Sequence, residues 1–305
     1  MPSSRVAVLG ATGCVGRQVC AALSRDGHEV VAVARNHAPH VSAYPFLLMD
    51  VAATPAEKIA EVFLTHGVDA VVNATGGWAK LEEEMAYAHV RLVERLVEAL
   101  TLTASAGHRP RLVHVGSIHE YGPVPAGVLI DESVDPRPAT PYARTKLAGS
   151  QAVLAAGELD GVVLRAVNVC GPYTTQASFL GMVAARLRDT TAAEGLELSI
   201  ADAQRDYLDV RDLADAVVKA LSAPAAGRAV NIGRGVATDM RELVALLVAA
   251  AGFPPEALKE QDRQVESKGG DWTRADITLA GRLLGWHPRI DLPDSIRDMW
   301  LSLIR

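Results

Sequence analysis

The chain has 305 residues, of which 49% are hydrophobic and 22% charged, a composition that is ordinary for a globular protein with a sizeable core. Disorder, collagen and coiled coil are excluded as descriptions of the whole chain. The formal net charge of −6 argues against a nucleic-acid-binding protein, which usually carries a basic stripe. Three cysteines, Cys14, Cys20 and Cys170, are too few for a disulfide framework and show no metal-ligand spacing.

Neither a membrane span nor a signal peptide is visible in the sequence. No segment approaches the ~18 consecutive apolar residues of a membrane span. The N-terminal apolar run is too short for a signal peptide and is typical of a buried strand. We therefore expect a cytoplasmic protein with no membrane partner, no nucleic-acid partner and no metal.

The first half of the chain alternates strands with helices. Strands are predicted over residues 5–9, 28–33, 46–49, 70–73, 111–115 and 161–167, and helices over 14–26, 55–66, 81–104 and 142–156. The strands are apolar throughout, which predicts a parallel sheet covered on both faces. The expected fold class is therefore α/β, a doubly wound parallel sheet of Rossmann type.

The pattern changes after Asn168. Helices are predicted over 177–188, from near Val210, over 239–251 and 275–284, and from Pro293 onward, with strands over 196–200 and 229–232. These segments predict a smaller, interleaved lobe. We expect a cofactor-binding domain over residues 1–170 with segments near 203–232 returning to it, and a substrate-binding lobe over 171–202 and 233–305.

A glycine-rich turn, Gly10-Ala-Thr-Gly13-Cys-Val-Gly16, follows the first strand and opens the first helix. The glycines permit close backbone approach, and the helix N-terminus offers N–H groups and a partial positive charge to a pyrophosphate. The alternative is a plain turn between strand and helix, but the strand–turn–helix context favours a dinucleotide site. The predicted contacts here are Gly10, Thr12, Gly13, Cys14, Val15 and Gly16.

The end of the second strand indicates which dinucleotide is bound. An NAD site usually has an acid there, whereas this chain has Ala34 and then Arg35, which can pair with a 2′-phosphate. This favours NADP(H) over NAD(H), unless Arg35 only points into solvent. Further predicted cofactor contacts are Asp50 and Val51 after the third strand, and Ala74, Thr75 and Gly76 after the fourth.

Tyr142 and Lys146 lie four residues apart and share one helix face, and Ser117 follows the fifth strand. All three are predicted at the carboxyl ends of the strands, where open α/β sheets bind ligands. A tyrosine with its usual pKa of ~10 is a poor acid or base at neutral pH. We expect the Lys146 ammonium to lower that pKa, while Ser117 hydrogen-bonds the reacting oxygen. The set suits proton transfer to a carbonyl during hydride transfer.

The sequence resembles the extended short-chain dehydrogenase/reductase family of nucleotide-sugar epimerases, dehydratases and reductases. The resemblance is carried by the glycine turn, by the segments 117–122, 142–146, 165–172 and 205–214, and by the C-terminal Leu284-Gly285-Trp286-His-Pro288. It implies that Lys146 and Tyr142 also contact the cofactor. It further implies a homodimer built on the helices 81–104 and 142–156, although their apolar positions fit packing on the sheet equally well.

The resemblance also implies a substrate site. Asn168 and Arg205 match positions that contact the substrate diphosphate, and Phe179 is placed to pack on the nucleotide base. The alternatives are that Arg205 pairs with Asp206 or Asp209 and that Asn168 caps a turn. The predicted substrate contacts are Ser117, His119, Glu120, Tyr142, Asn168, Phe179 and Arg205.

Departures from the family pattern exclude some of the reactions that the family catalyses. Ile118-His119 stands where the 4,6-dehydratases carry Asp-Glu, so the acid needed for elimination is missing. His119 either acts as an acid/base or only shapes the pocket. His89 stands where the family often has Asn. An arginine expected before the C-terminal signature is absent, and Lys268 and Arg274 are open replacements.

Two activities of the family then remain for this chain, that of a reductase and that of an epimerase. Because Arg35 favours NADPH, the leading hypothesis is an NADPH-dependent 4-ketoreductase acting on a dTDP-4-keto-6-deoxyhexose in natural-product biosynthesis. The alternatives are a nucleotide-sugar 4-epimerase with tightly bound NAD, a reductase of a non-nucleotide carbonyl, and a cofactor sensor without turnover. An intact Ser117, Tyr142 and Lys146 argues against the sensor.

Overall fold

The structure is a computed structural model that describes residues 3–304 except 262, 264, 266 and 268. The strands are β1 (Arg5–Leu9), β2 (Glu29–Ala34), β3 (Phe46–Leu48), β4 (Ala70–Asn73), β5 (Arg111–Ser117), β6 (Gly161–Ala166), β7 (Asn168–Cys170), β8 (Leu196–Leu198), β9 (Gln204–Asp209), β10 (Arg228–Ile232), β11 (Ala237–Asp239) and β12 (Leu258–Glu260). The α-helices are α1 (Cys14–Arg25), α2 (Ala56–Thr65), α3 (Glu82–Ala86), α4 (Leu92–Ser105), α5 (Pro141–Ala155), α6 (Phe179–Arg188), α7 (Val210–Ala220), α8 (Met240–Ala250), α9 (Thr278–Leu284) and α10 (Leu292–Leu303).

A seven-stranded parallel sheet in the order β10-β6-β5-β4-β1-β2-β3 forms the centre of the molecule. Helices α2, α4 and α5 cover one face, and α1, α7 and α9 cover the other, each over its own apolar cluster. The predicted α/β doubly wound fold is confirmed. The order reverses between β1 and β4, which is where doubly wound sheets bind ligands.

The C-terminal segments are more interleaved than predicted. Of the stretch 203–232, only β10 joins the main sheet, whereas β9 pairs with β7 and β11 in a separate three-stranded sheet. Helix α9 packs on the main-sheet core, although the prediction assigned it to the smaller lobe. A third apolar cluster unites α6, α8 and α10 and forms the core of the lobe. Strands β7 and β9 were missed because their residues had been assigned to motifs and loops.

The long helix predicted over 81–104 is interrupted. A π-helical turn over Tyr87–Arg91 separates α3 from α4. Helix α5 begins one residue earlier than predicted, with Pro141 in its first turn and the Thr140 hydroxyl accepting from the Ala143 N–H. This cap fixes the start of the helix that carries Tyr142 and Lys146.

Candidate active site

The glycine turn is built for close backbone approach. A Cβ on Gly16 would lie 2.0 Å from the Gly10 carbonyl oxygen, and Gly10 itself has φ +76°. Gly13 caps α1 without a side-chain hydrogen bond and is exposed, so the first N–H groups of α1 face outward. The cradle therefore fits a dinucleotide pyrophosphate, because only glycine leaves this space and these donors open.

The other residues of the turn are partly buried. The Cys14 Sγ lies 3.9 Å from the Pro172 carbonyl oxygen, and burial raises the pKa of its thiol to about 11. Val15 packs against the core below the turn, and Thr12 is half-buried. The predicted contacts of these three residues with the cofactor stay predictions.

The ends of β2 and β3 form the predicted adenosine side of the site. Arg35 is exposed directly after β2, where the sequence supplies no acid. Asp50 accepts from the Tyr87 hydroxyl at 3.0 Å and from the Ala52 N–H at 3.2 Å. Sequence reasoning missed Tyr87 because it lies in the unforeseen π turn. The Val51 side chain is only 3% exposed and lies in the core, which leaves its backbone as the part able to contact a cofactor.

The loop after β4 forms the floor of the site. Asn73 is fully buried, and its amide oxygen accepts from the Thr75 N–H at 3.1 Å, which shapes the loop. Ala74, Thr75 and Gly76 are half-buried, as space for a cofactor requires. A Cβ on Gly76 would lie 3.1 Å from the Lys146 Nζ, so this floor lies next to the Lys146 ammonium.

Ser117, Tyr142 and Lys146 come together at the carboxyl edge of the sheet. Ser117 is the last residue of β5 and is 4% exposed, and its side chain is close enough to the Tyr142 phenol to lower the pKa of that phenol. Lys146 is 3% exposed and donates to the Val115 carbonyl oxygen at 2.7 Å. A phenol, a hydroxyl and an ammonium at one place can protonate and orient a carbonyl oxygen.

The electrostatics of this set differ from the expectation. Burial raises the pKa of Tyr142 to about 12, and the Ser117 hydrogen bond offsets only part of the rise. Burial also lowers the pKa of Lys146 to about 8, although the Glu120 carboxylate opposes this. The pKa of Tyr142 is thus raised, not lowered as expected from Lys146, because desolvation of the phenolate is the largest effect and the Glu120 carboxylate adds to it.

His119 and Asn168 border the same space. The His119 Nε2 lies 3.4 Å from the Asn168 Oδ1, and its ring stands edge-on to Tyr142 with centroids 6.3 Å apart. Burial and the neighbouring Arg205 lower the pKa of His119 to about 4. A neutral imidazole therefore faces the site at neutral pH. Phe179, half-buried at the start of α6, packs against the lobe core.

Arg205 is 5% exposed and donates to the Ser267 Oγ and the Gly270 carbonyl oxygen. The alternative pairings with Asp206 and Asp209 do not hold. Asp206 accepts from backbone N–H groups of the loop after β10, and Asp209 pairs with Arg211. The contact of Arg205 with a diphosphate stays a prediction.

The replacement for the missing arginine was left open between two cations. Lys268 lies outside the described residues. The Arg274 Nε donates to the Gly235 carbonyl oxygen at 2.9 Å.

Glu120 lies beneath the pocket rather than in it. Its carboxylate is fully buried and accepts from the Ser117 N–H, the Ser150 Oγ and the Arg165 Nε, each at 2.8 Å. All of these partners are protein groups, so this geometry does not support the predicted contact with substrate. Glu120 instead fixes the backbone of Ser117.

In the described part of the chain, no helix is both long and apolar enough to cross a membrane. Among the same residues, no group of three or more His, Cys, Asp or Glu side chains is arranged to hold a metal ion.

Comparison with known proteins places this site in a family. The model of the NAD dependent epimerase/dehydratase family matches residues 6–233. The dTDP-6-deoxy-L-talose 4-dehydrogenase (NAD(P)(+)) of Kitasatospora kifunensis is 38% identical over 98% of this chain and 95% of its own. UDP-glucose 4-epimerase of Mycolicibacterium smegmatis is 28% identical over 96% of both chains.

Solved structures agree with the sequence relatives. MoeE5 in complex with UDP-glucuronic acid and NAD superposes with a TM-score of 0.83 at 25% identity, covering 99% of both chains. The glycine cradle, the floor after β4 and the Ser117–Tyr142–Lys146 set fit a nicotinamide dinucleotide. The chain belongs to the NAD-dependent epimerase/dehydratase family and is an NAD(P)-dependent enzyme of the extended short-chain dehydrogenase/reductase type.

Proposed function

We propose that the protein reduces the 4-keto group of a dTDP-linked 4-keto-6-deoxyhexose with NADPH, in deoxysugar biosynthesis. The observation that carries this proposal is the 38% identity, across 98% of the chain, to a dTDP-6-deoxy-L-talose 4-dehydrogenase. Oxidation of a C4 alcohol and reduction of the C4 ketone are one reaction read in opposite directions, so the same residues serve both.

In this reaction the bound nicotinamide supplies the hydride to C4. Tyr142 donates its phenolic proton to the carbonyl oxygen, and Ser117 donates a hydrogen bond that orients that oxygen. Lys146, whose Nζ lies next to Gly76, would hold the nicotinamide ribose. His119 is neutral and lies beside Asn168, so it shapes the sugar pocket and offers hydrogen bonds rather than titrating near neutral pH.

The preference for NADPH rests on Arg35. Its guanidinium is exposed after β2, and the electrostatic influence of both Arg35 and Arg91 reaches the Tyr87 phenol beside Asp50. Two cations at the adenosine end favour a 2′-phosphate over bare ribose hydroxyls. The Kitasatospora relative is named for both NAD and NADP, so the assay compares NADPH with NADH.

A nucleotide-sugar 4-epimerase is the second candidate, because UDP-glucose 4-epimerases match 96–98% of the chain at 25–29% identity. An epimerase returns the hydride and keeps its NAD. The purified protein should be assayed for oxidation of NADPH and of NADH with a dTDP-4-keto-6-deoxyhexose. Stoichiometric NADPH loss with a new deoxysugar supports the reductase. If NAD stays bound without net turnover and the protein interconverts UDP-sugars, the protein is an epimerase and the reductase proposal is refuted.

The nucleotide part of the substrate has its own test. If Arg205→Ala leaves KM for the sugar nucleotide unchanged, the proposal of a nucleotide-sugar substrate gives way to a carbonyl substrate without a nucleotide.

The homodimer also belongs to this proposal. Of the apolar positions on α4, Val93 and Leu96 are fully buried within the protomer, whereas Val97 is partly exposed. Leu102 on α4 and Leu81 before α3 are 39% and 59% exposed. These exposed groups, rather than the buried ones, are available for a second copy, and sedimentation of the purified protein tests it.

A further inference from the structure

The π turn over Tyr87–Arg91 lies directly against the catalytic helix. A Cβ on Gly149 of α5 would lie 2.3 Å from the His89 carbonyl oxygen, so only glycine permits this approach. Turns of this kind are rare and frequently occur at functional sites. The close contact places the His89 side chain between α5 and the loop after β4.

His89 is the residue of this turn that enters the site. It is 2% exposed, and its Nε2 lies 3.2 Å from the Gly77 carbonyl oxygen while its Nδ1 lies 2.8 Å from the Thr145 Oγ1. A carbonyl oxygen only accepts, so Nε2 carries the proton. Burial keeps the imidazole neutral by lowering its pKa to about 4, so Nδ1 can accept a hydrogen bond from the Thr145 hydroxyl, for which the Pro141 and Tyr142 carbonyl oxygens lie slightly farther away, at 3.1 and 3.0 Å.

These two bonds connect the parts of the site that must be held at a fixed distance. Gly77 extends the floor formed by residues 74–76, and Thr145 precedes Lys146 on α5. The His89 ring also stands perpendicular to the Tyr142 ring, with centroids 5.5 Å apart. Two residues earlier in the same turn, the Tyr87 hydroxyl reaches Asp50 at the other end of the site.

We propose that His89 is a positioning residue, which fixes the spacing between the Gly76–Gly77 floor and the Tyr142–Lys146 face of α5 for the nicotinamide ribose. His89 acts through hydrogen bonds to Gly77 and Thr145 and transfers no proton itself. The role concerns the dinucleotide, so it holds for a reductase and for an epimerase, and a failure of the sugar assignment leaves it intact.

Calorimetric titration with NADPH and NADH tests this role without requiring turnover. His89→Phe keeps an aromatic ring and removes both hydrogen bonds, and we expect it to raise the dinucleotide Kd about tenfold. His89→Asn supplies an amide donor and acceptor and should recover part of the affinity. In turnover assays, kcat should fall with KM for the sugar unchanged.

His108→Phe is the matched control. The His108 Nε2 also bonds a backbone carbonyl, that of Val68 at 2.6 Å, but at the opposite end of the sheet, so its Kd should stay at the wild-type value. Thr145→Val removes the hydrogen bond to the His89 Nδ1 with little change of shape. This variant tests the positioning role if His89→Phe does not fold. Unchanged Kd in both His89→Phe and Thr145→Val, whatever their thermal stability, would overturn the proposal and leave His89 a packing residue.

Discussion

Replacing Glu120 by Gln removes one charge from a buried ion pair and leaves the shape of the side chain almost unchanged. Arg165 then keeps a guanidinium whose side chain is 6% exposed and which has lost its carboxylate. Breaking a buried pair in this way costs about 3–5 kcal/mol. The amide oxygen can still accept from the Ser117 N–H and from Ser150, so we expect the free energy of unfolding to fall by about 3 kcal/mol.

Urea unfolding of the cofactor-free protein measures this loss. With a slope of about 3 kcal/mol per M, the midpoint of Glu120→Gln should fall by about 1 M. Glu98→Gln is the control, because it breaks an exposed pair with Arg95 on α4 and should cost under about 0.5 kcal/mol. If Glu120 contacted substrate, the variant would keep the wild-type midpoint and raise KM. That result would refute the structural role assigned here.

The remaining predictions concern the chemistry of the site. Tyr142→Phe removes the proton donor, so kcat should fall by about 10²–10⁴, far more than the calorimetric Kd for NADPH rises. A rise of Kd as large as the loss of kcat would instead make Tyr142 mainly a cofactor anchor. Arg35→Ala should raise KM for NADPH about ten- to a hundredfold, as expected for a lost charge-assisted bond, and leave KM for NADH unchanged. Equal changes for both cofactors would exclude a 2′-phosphate contact. The pKa of Lys146 is lowered to about 8, so its ammonium is present below that pH, and kcat/KM should be level there and decline above it. Lys146→Arg should remove this decline, because its guanidinium stays charged.

The local pattern of the sequence was sufficient for the fold and for placing Ser117, Tyr142 and Lys146 at the carboxyl edge of the sheet. Each strand of the main sheet was located because buried parallel strands are continuous apolar runs, and helix stops at Gly27 and Gly67 separated the units. Tyr142 and Lys146 share one helix face by their four-residue spacing, and Ser117 adjoins a strand end. These features depend on residues that are close together in the sequence, so the sequence alone predicts them.

The features that were missed depend on contacts distant in sequence. The π turn at Tyr87–Arg91 packs against α5 at Gly149, a contact that no periodicity within residues 81–104 indicates. The sequence predicts a substrate contact for Glu120, in the motif that follows Ser117, whereas Arg165, 45 residues away, donates to its carboxylate beneath the pocket. The partners of Arg205 likewise come from a loop more than 60 residues later.

The protonation of Tyr142 bears on the direction of the reaction. Reduction of a ketone needs a neutral phenol to give up a proton, whereas oxidation of the alcohol needs a phenolate to take one. Burial raises the pKa of Tyr142 to about 12, so the phenol is protonated across the whole neutral range. The oxidised nicotinamide carries a positive charge that the reduced form lacks, and such a charge beside the phenol stabilises phenolate. The protein by itself therefore keeps Tyr142 as a neutral phenol, the acid that reduction of a ketone would use.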